Sequence, residues 1–376
     1  MIYNQLIKNE KLWDILTSYI TNHKLPHSMI FHGIKGVGKE AHALEFSALL
    51  NCQQIQNNQS CGECTSCKQL KKMQHPQIKI ITPFPRGKIT SIKSPSLNAL
   101  TDKEIKDFQQ MKVEKGKNPY SYIHIKNSRT ILINSIREIK KEIYLGNTSP
   151  GYNIIIILNA EKLCYPNTES ANALLKILEE PPDKTLFILV TSKINMLLDT
   201  ITSRCQTYYF KPLENKEIFQ HLIDSDYKES DIEECIEFSK GSISQAINYI
   251  NNIKSIRKTI KLQITNYLNI DQSNFEVLIK EIKLIKSDEN QLINFFNISK
   301  ELFKDIFYLS KGSKSNITFK KYSKELLDYI NKYPKANWEQ CINILDRAFS
   351  DILKNGYIPI TITNMLIEMH TNIKGN

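Results

Sequence analysis

Between Ser28 and Phe210 the chain alternates two hydrophobic rhythms. Short runs apolar at nearly every position read as strands: "SMIFHG" (28–33), "IKIITP" (78–83), "NIIIILNA" (153–160), "LFILVTS" (186–192) and the shorter "QTYYF" (206–210). A strand without a polar face must be covered on both sides, as in a parallel sheet. Between these runs the period lengthens to that of a helix. "KEAHALEFSALLNC" puts Leu44, Ala48 and Cys52 on one face. "ILINSIREIKKEIYLG" spaces Ile136, Ile139 and Ile143 for a helix capped by Gly146. "TESANALLKILEEPP" opens with a helix start signal and stops at Pro181 and Pro182. Pro83 and Pro85 stop the second strand. Strands alternating with helices predict an α/β domain built on a parallel sheet.

Beyond "PLENKEIFQHLI" the strand signal fades. Residues 212–251 read as short helices broken at Gly241, and 252–376 as a helical bundle. The stretch 84–128 is polar and irregular, and reads as a surface insertion in the α/β domain, partly helical near Asp102 to Met111. The expected domains are therefore 1–211, 212–251 and 252–376. At 376 residues the chain is too long for one ordinary core, and 41% hydrophobic content excludes wholesale disorder.

Charge changes the picture little. The formal net charge is +11, which favours nucleic acid or an acidic partner, but the lysines are scattered and read as a solvated surface. The amphipathic start "MIYNQLIKNEKLWDIL" contains acids and lacks the apolar core of a signal peptide. No run reaches transmembrane length, so the expected setting is the cytoplasm, without a membrane partner. The 8 cysteines are then not expected to form a disulfide framework.

Three constellations carry candidate chemistry. The first is "GIKGVGKE" (33–40), lying between a strand and a helix. Gly33, Gly36 and Gly38 let backbone N–H groups face phosphate oxygens, and Lys39 reaches toward them. The hydroxyl residue that would ligate Mg²⁺ is replaced by Glu40. A hydrolytic site also needs an acid at the end of a neighbouring strand. Here that strand ends Leu158-Asn159-Ala160, with Glu161 one or two residues late. The two changes together argue against hydrolysis and leave weak nucleotide binding open.

The second constellation is Cys52, Cys61, Cys64 and Cys67, spaced C-x8-C-x2-C-x2-C on a polar loop. Four thiolates with no open position suit a structural Zn²⁺. Free thiols or an iron–sulfur cluster are the alternatives, and nothing else in the chain suggests redox work. The third is "TITSRCQ" (200–206), where Ser203 and Arg204 precede the last strand. An arginine there is an ordinary surface residue or a finger reaching a neighbour's phosphate.

Together these motifs resemble the clamp-loader AAA+ family of bacterial DNA polymerase III. Asn172 to Pro182 match its N-A-L-L-K-x-L-E-E-P-P helix, and Ser203 to Cys205 its S-R-C motif. The four-cysteine module after the loop helix is also similar to the family's. The likeness covers roughly residues 25–83 and 129–211, and excludes 84–128. It implies an AAA+ P-loop domain with an inserted zinc module at 52–67, then a helical lid and a helical collar that holds subunits together. Active gamma/tau members carry G-S-x-R in the lid, and here "GSIS" puts Ser244 in the arginine's place. The pattern resembles the non-hydrolysing delta-prime branch. It implies a replication subunit whose Arg204 serves a neighbouring gamma/tau site, with delta, the sliding clamp and primed DNA as further partners. The competing expectations are an active gamma/tau-like ATPase using Glu161 as base, and a zinc-stabilised DNA-binding protein with a vestigial nucleotide fold.

Overall fold

The computed structural model describes residues 1–87, 91, 94–144, 150–268, 272–285, 289–313, 317–353 and 356–374. Gly146, the expected cap, lies outside them. The chain divides into two compact units, residues 1–221 with 241–244, and residues 222–240 with 245–376.

The first unit contains α1 (Glu10–Thr21), β1 (Ser28–Gly33), α2 (Lys39–Leu50), α3 (Thr65–Lys71), β2 (Ile78–Ile81), α4 (Asp102–Lys117), α5 (Ile133–Tyr144), β3 (Asn153–Leu158), α6 (Glu169–Glu179), β4 (Thr185–Thr191), α7 (Asp199–Thr202) and β5 (Gln206–Phe210). All five strands lie within a residue or two of the runs read from the sequence. They form one parallel sheet in the order β2-β3-β4-β1-β5. Alternate side chains leave opposite faces. On one face Met29, Phe31, Ile154, Ile156 and Ile188 pack with Trp13 of α1 and Phe46 of α2. On the other, Ile30, Ile155, Ile157, Phe187 and Leu189 pack with Ile136 and Ile139 of α5 and Leu174 and Ile177 of α6. This double cover explains the unbroken apolar runs.

Chain order fixes where a site can sit. After β1 the chain crosses to the far edge, returns through β3 and β4, and then passes over β1 to β5. The carboxyl end of β1 is therefore the crevice that such sheets use for ligands. The glycine loop occupies it.

The 84–128 stretch differs from its reading as a surface insertion. Its helix runs the full span Asp102–Lys117, started by a capping box between Thr101 and Glu104. Phe84, Phe108, Ile123 and Ile125 are buried in the same core as β1 and β3. Gly116 lets α4 lie directly on the end of α3, since a Cβ there would fall 2.0 Å from the Lys71 carbonyl oxygen.

The remaining helices are α8 (Asn215–Asp224), α9 (Glu229–Ser239), α10 (Ile243–Asn251), α11 (Ile253–Leu268), α12 (Gln272–Ile285), α13 (Glu289–Ser310), α14 (Ser323–Lys332), α15 (Trp338–Leu353) and α16 (Ile358–Lys374). The stripe Phe295, Ile298, Leu302 and Ile306 is buried within the second unit. Asp305 on the same helix is also buried. Its carboxylate accepts from the Thr318 and Phe319 N–H groups at 2.9 and 2.7 Å. Among the described residues no helix is long and apolar enough to cross a membrane.

Candidate functional site

The glycine loop has the backbone its sequence promises. Gly36 and Gly38 take φ values of 87° and 91°, a region that favours glycine. At Gly36 there is also no room for a side chain, because a Cβ would lie 2.1 Å from Ser242 Oγ. α2 then starts at Lys39. His42, one turn in, ties the loop to α1. Its Nδ1–H donates to the Gly38 carbonyl at 2.8 Å, and its Nε2 accepts from the Asn9 N–H at 3.0 Å. This is the neutral imidazole, and burial pushes its pKa down to about 4.

The loop's cations are used internally. Lys39 Nζ folds back to the carbonyls of Gly33 (2.8 Å) and Ile34 (2.6 Å). Burial lowers its pKa to about 8, against the opposing pull of Glu40 and Glu161. Glu40 meets Lys115 of α4, whose Nζ lies 2.5 Å from the carboxylate. The same ammonium donates to the Pro119 and Ser121 carbonyls at 3.0 and 2.7 Å. All three ammonium donors are thus satisfied, and the Lys115 side chain is 2% exposed. Tyr122 lies under Lys35, whose Nζ sits 4.4 Å from the ring centroid.

The other altered stations also have partners. Asn159, at the end of β3, turns into the left-handed region with φ 52°. Glu161 is buried and accepts from Thr191 Oγ1 at 2.6 Å, held against the end of β4. Ser244 donates from Oγ to the Tyr120 carbonyl at 3.0 Å and from its N–H to the Gly36 carbonyl at 3.3 Å. What remains open at the loop is a cavity of about 30 Å³. That is room for one water, whereas ligand pockets run to ~300–1,000 Å³.

Cys52, Cys61, Cys64 and Cys67 come together as the spacing predicts, with all four sulfurs within 4.8 Å of one another. A tetrahedral ion with ~2.3 Å bonds to sulfur needs edges of ~3.8 Å. The Cys61 and Cys67 sulfurs are 4.0 Å apart. Backbone N–H groups point at the sulfurs: Cys61 N–H donates to Cys52 (3.3 Å), Cys64 N–H to Cys61 (3.3 Å) and Cys67 N–H to Cys64 (3.5 Å). Such donors favour thiolates, and the Glu63 and Cys64 N–H groups bring the Cys61 pKa down to about 6, whereas burial raises those of Cys52 and Cys67. The donor set fits a metal ion.

Arg204 sits apart from both clusters, on the turn between α7 and β5. Its Nη2 lies 2.9 Å from Glu179 Oε1 and its Nη1 donates to the Thr200 carbonyl at 3.0 Å. Both side chains of the ion pair are exposed, 37% for the arginine and 52% for Glu179. Ser203 is exposed beside it, with Oγ donating to the Thr200 carbonyl. Sequence reasoning singled out the glycines, Lys39, Glu40, Asn159, Glu161, Ser244, the four cysteines, Ser203 and Arg204, but it missed His42, Lys115, Tyr120, Tyr122 and Glu179. The only hint was the aromatic and proline content of "GKNPYSYI".

A loop of this kind at the crevice of a five-stranded parallel sheet defines a P-loop α/β protein. A family profile described as DNA polymerase III, delta subunit, matches residues 8–214. The chain belongs to that family, within the clamp-loader AAA+ group. The DNA polymerase III subunit delta' of Bacillus subtilis is 29% identical over 216 residues, covering 57% of this chain and 51% of the relative. The subunit gamma/tau of Mycoplasma genitalium is 26% identical over 320 residues, covering 80% of this chain and 46% of the relative. The chain thus spans about half the length of these curated relatives. A gamma subunit-related protein from Thermotoga maritima superposes with a TM-score of 0.42 at 14% identity, covering 96% of this chain and 98% of that one. That superposition is too loose to support an argument.

Proposed function

We propose that this chain is a non-hydrolysing, delta-prime-like subunit of a DNA polymerase III clamp loader. It supplies Arg204 to the nucleotide site of an adjacent gamma/tau-like ATPase and helps place a sliding clamp on primed DNA. The observation that carries this reading is a contrast within the first unit. Every charged group at the chain's own P-loop is engaged by protein, in a space of about 30 Å³, while Arg204 stands exposed in a weak surface pair.

The chemistry follows from the guanidinium. It is always charged and forked, so it can contact two oxygens of a γ-phosphate. Charge on that group spreads over its equatorial oxygens in the transition state, and a cation there lowers the barrier. Ser203 holds the turn that presents it. Within this reading residues 1–211 are the AAA+ domain, 212–251 the lid and 252–376 the collar that joins subunits. Zn²⁺ bound by Cys52, Cys61, Cys64 and Cys67 is structural. The partners are gamma/tau and delta subunits in the cytoplasm, with clamp and DNA contacted through the complex.

The test is reconstitution with gamma/tau and delta subunits from the same cell. The Arg204→Ala chain should assemble normally and bind its metal. It should lower DNA- and clamp-stimulated ATP hydrolysis several-fold. Trans fingers elsewhere contribute on the order of 10³ or more, but other sites in a loader keep their own fingers. A variant complex that turns over ATP at the wild-type rate sinks the proposal. So does steady hydrolysis by this chain alone that vanishes with Lys39→Ala.

A further inference from the structure

The stretch 84–128, read from the sequence as a surface insertion, has a buried end that converges on the P-loop. Three contacts define that convergence. Lys115 bonds Glu40, the residue standing where a Mg²⁺-ligating hydroxyl would be. Tyr120 offers its carbonyl to Ser244, the residue standing where the lid arginine would be. Tyr122 lies 4.4 Å under Lys35, and its hydroxyl is among the atoms crowding Gly36. Two bonds to the N-terminal segment brace the rest: Tyr120 Oη accepts from the Ile7 N–H at 2.7 Å, and Tyr3 donates to the Lys115 carbonyl at 2.9 Å.

We propose that residues 115–122 are a built-in plug that occupies the nucleotide site in place of ATP. On this view Glu40 and Ser244 are not simply lost catalytic positions. They are the plug's two polar anchors. The Glu40 carboxylate accepts from an ammonium where a hydroxyl would have met a cation. The Ser244 hydroxyl is short enough to reach a backbone carbonyl where an arginine would have reached a phosphate. Lys39, with no phosphate to meet, satisfies its charge on the carbonyls of Gly33 and Ile34. The plug holds the loop, α2 and α4 in one conformation that does not respond to ATP.

The inference rests on reading "GIKGVGKE" as a nucleotide loop. It is tested on the full chain alone, so its failure is separate from that of the Arg204 assignment. Equilibrium binding of a fluorescent ATP analogue with Mg²⁺ should show no saturation up to about 1 mM, against the micromolar-to-millimolar range usual for enzyme substrates. The chain carrying Lys115→Ser, Tyr122→Ala and Glu40→Thr should gain binding by about tenfold or more. Saturable micromolar binding to the wild-type chain overturns the plug. So does a folded, metal-loaded triple variant that gains nothing. A second measurement needs no variant. Amine acetylation of the native chain, read by mass spectrometry, should modify Lys39 and Lys115 about tenfold or more slowly than exposed lysines, and ATP should not change either rate. Labelling of Lys115 at the rate of exposed lysines overturns the proposal on its own.

Discussion

The P-loop mouth and the Arg204 turn lie in one α/β unit and are both basic, but they are built oppositely. At the mouth, Lys39 and Lys115 are withdrawn from water, Lys39 donating to two carbonyls and Lys115 to a carboxylate and two carbonyls within the chain. At the turn, the guanidinium rests on an exposed carboxylate and the Thr200 carbonyl, and the arginine side chain remains 37% exposed. Burial makes the first arrangement expensive to disturb, because removing one partner strands a charge in a poorly solvated place. Exposure makes the second easy to exchange, because water and salt compensate for a lost surface pair. A cation meant to hold a fold is treated in the first way. One meant to meet a partner is treated in the second.

The largest effect should come from the metal cluster, which supports the closed side through α3, whose end carries α4 at Gly116. Structural zinc is worth about 10–16 kcal/mol to zinc-finger peptides, and a fraction of that should appear here as several kcal/mol. Purified protein should hold about one zinc per chain. Cys67→Ala should bring the metal to background, lower the melting temperature and accelerate acetylation of Lys115. Full stability with no metal, and four titratable thiols in 52–67, would remove zinc from the account.

Next in size is Lys115→Ala. It leaves the Glu40 carboxylate and two carbonyls without their donor, a loss of about 3–5 kcal/mol for a broken buried pair. For a unit of this size that is on the order of 10 °C in melting temperature. Lys115→Ala paired with Glu40→Ala should cost clearly less than the sum of the singles. Additive costs would mean that the two side chains are neighbours without coupling.

These expectations mark where the sequence was readable and where it was not. The five strands were legible because each is covered on both faces, so its apolar run is unbroken. The cysteines were legible because a metal tetrahedron demands short spacing whatever the tertiary context. The 84–128 stretch was not. Its buried residues, Phe84, Phe108, Tyr120, Ile123 and Ile125, are separated by lysines, acids and amides with no sustained period. Lys115 lies near the end of a helix whose Lys103, Lys106 and Lys117 are exposed, and its carboxylate partner, Glu40, is 75 residues away. Nothing local encodes that meeting. Glu40 and Ser244 were read as departures from a working ATPase, but their partners lay in the segment that read as surface.

A smaller, pH-dependent effect should also fall on the closed side. His42 stays neutral when folded down to about pH 4, whereas in the unfolded chain it protonates near its ordinary value of 6.5. The unfolded state therefore binds more protons between those values, and the histidine's contribution is lost as pH falls from about 6.5 to about 4. That contribution is at most about 3 kcal/mol. Comparison with His42→Gln at each pH isolates this contribution, since other titrations are common to both chains. A stability difference that stays constant from pH 7 to 4.5 would show that His42 is not held neutral.

The smallest stability effect belongs to the turn, and its contrast with activity is the sharpest test of the comparison. Glu179 and Arg204 form a single exposed pair, and such pairs contribute about 0–1 kcal/mol. Arg204→Ala and Glu179→Gln should each leave the melting temperature of the isolated chain within a degree or two. In the reconstituted complex they should part. On the proposed reading Arg204→Ala removes the finger to the neighbour's phosphate and should lower stimulated hydrolysis. Glu179→Gln removes only a resting partner, so it should leave hydrolysis within about twofold, since the surface bond it breaks is worth a few tenths of a kcal/mol. Arg204→Lys keeps the charge but loses the fork, and should rescue poorly. If Glu179→Gln lowers hydrolysis as far as Arg204→Ala does, the carboxylate is positioning the guanidinium rather than merely parking it, and the turn is a built site like the mouth. If neither variant changes hydrolysis, the two regions differ only in burial, and exposure at Arg204 has no functional meaning.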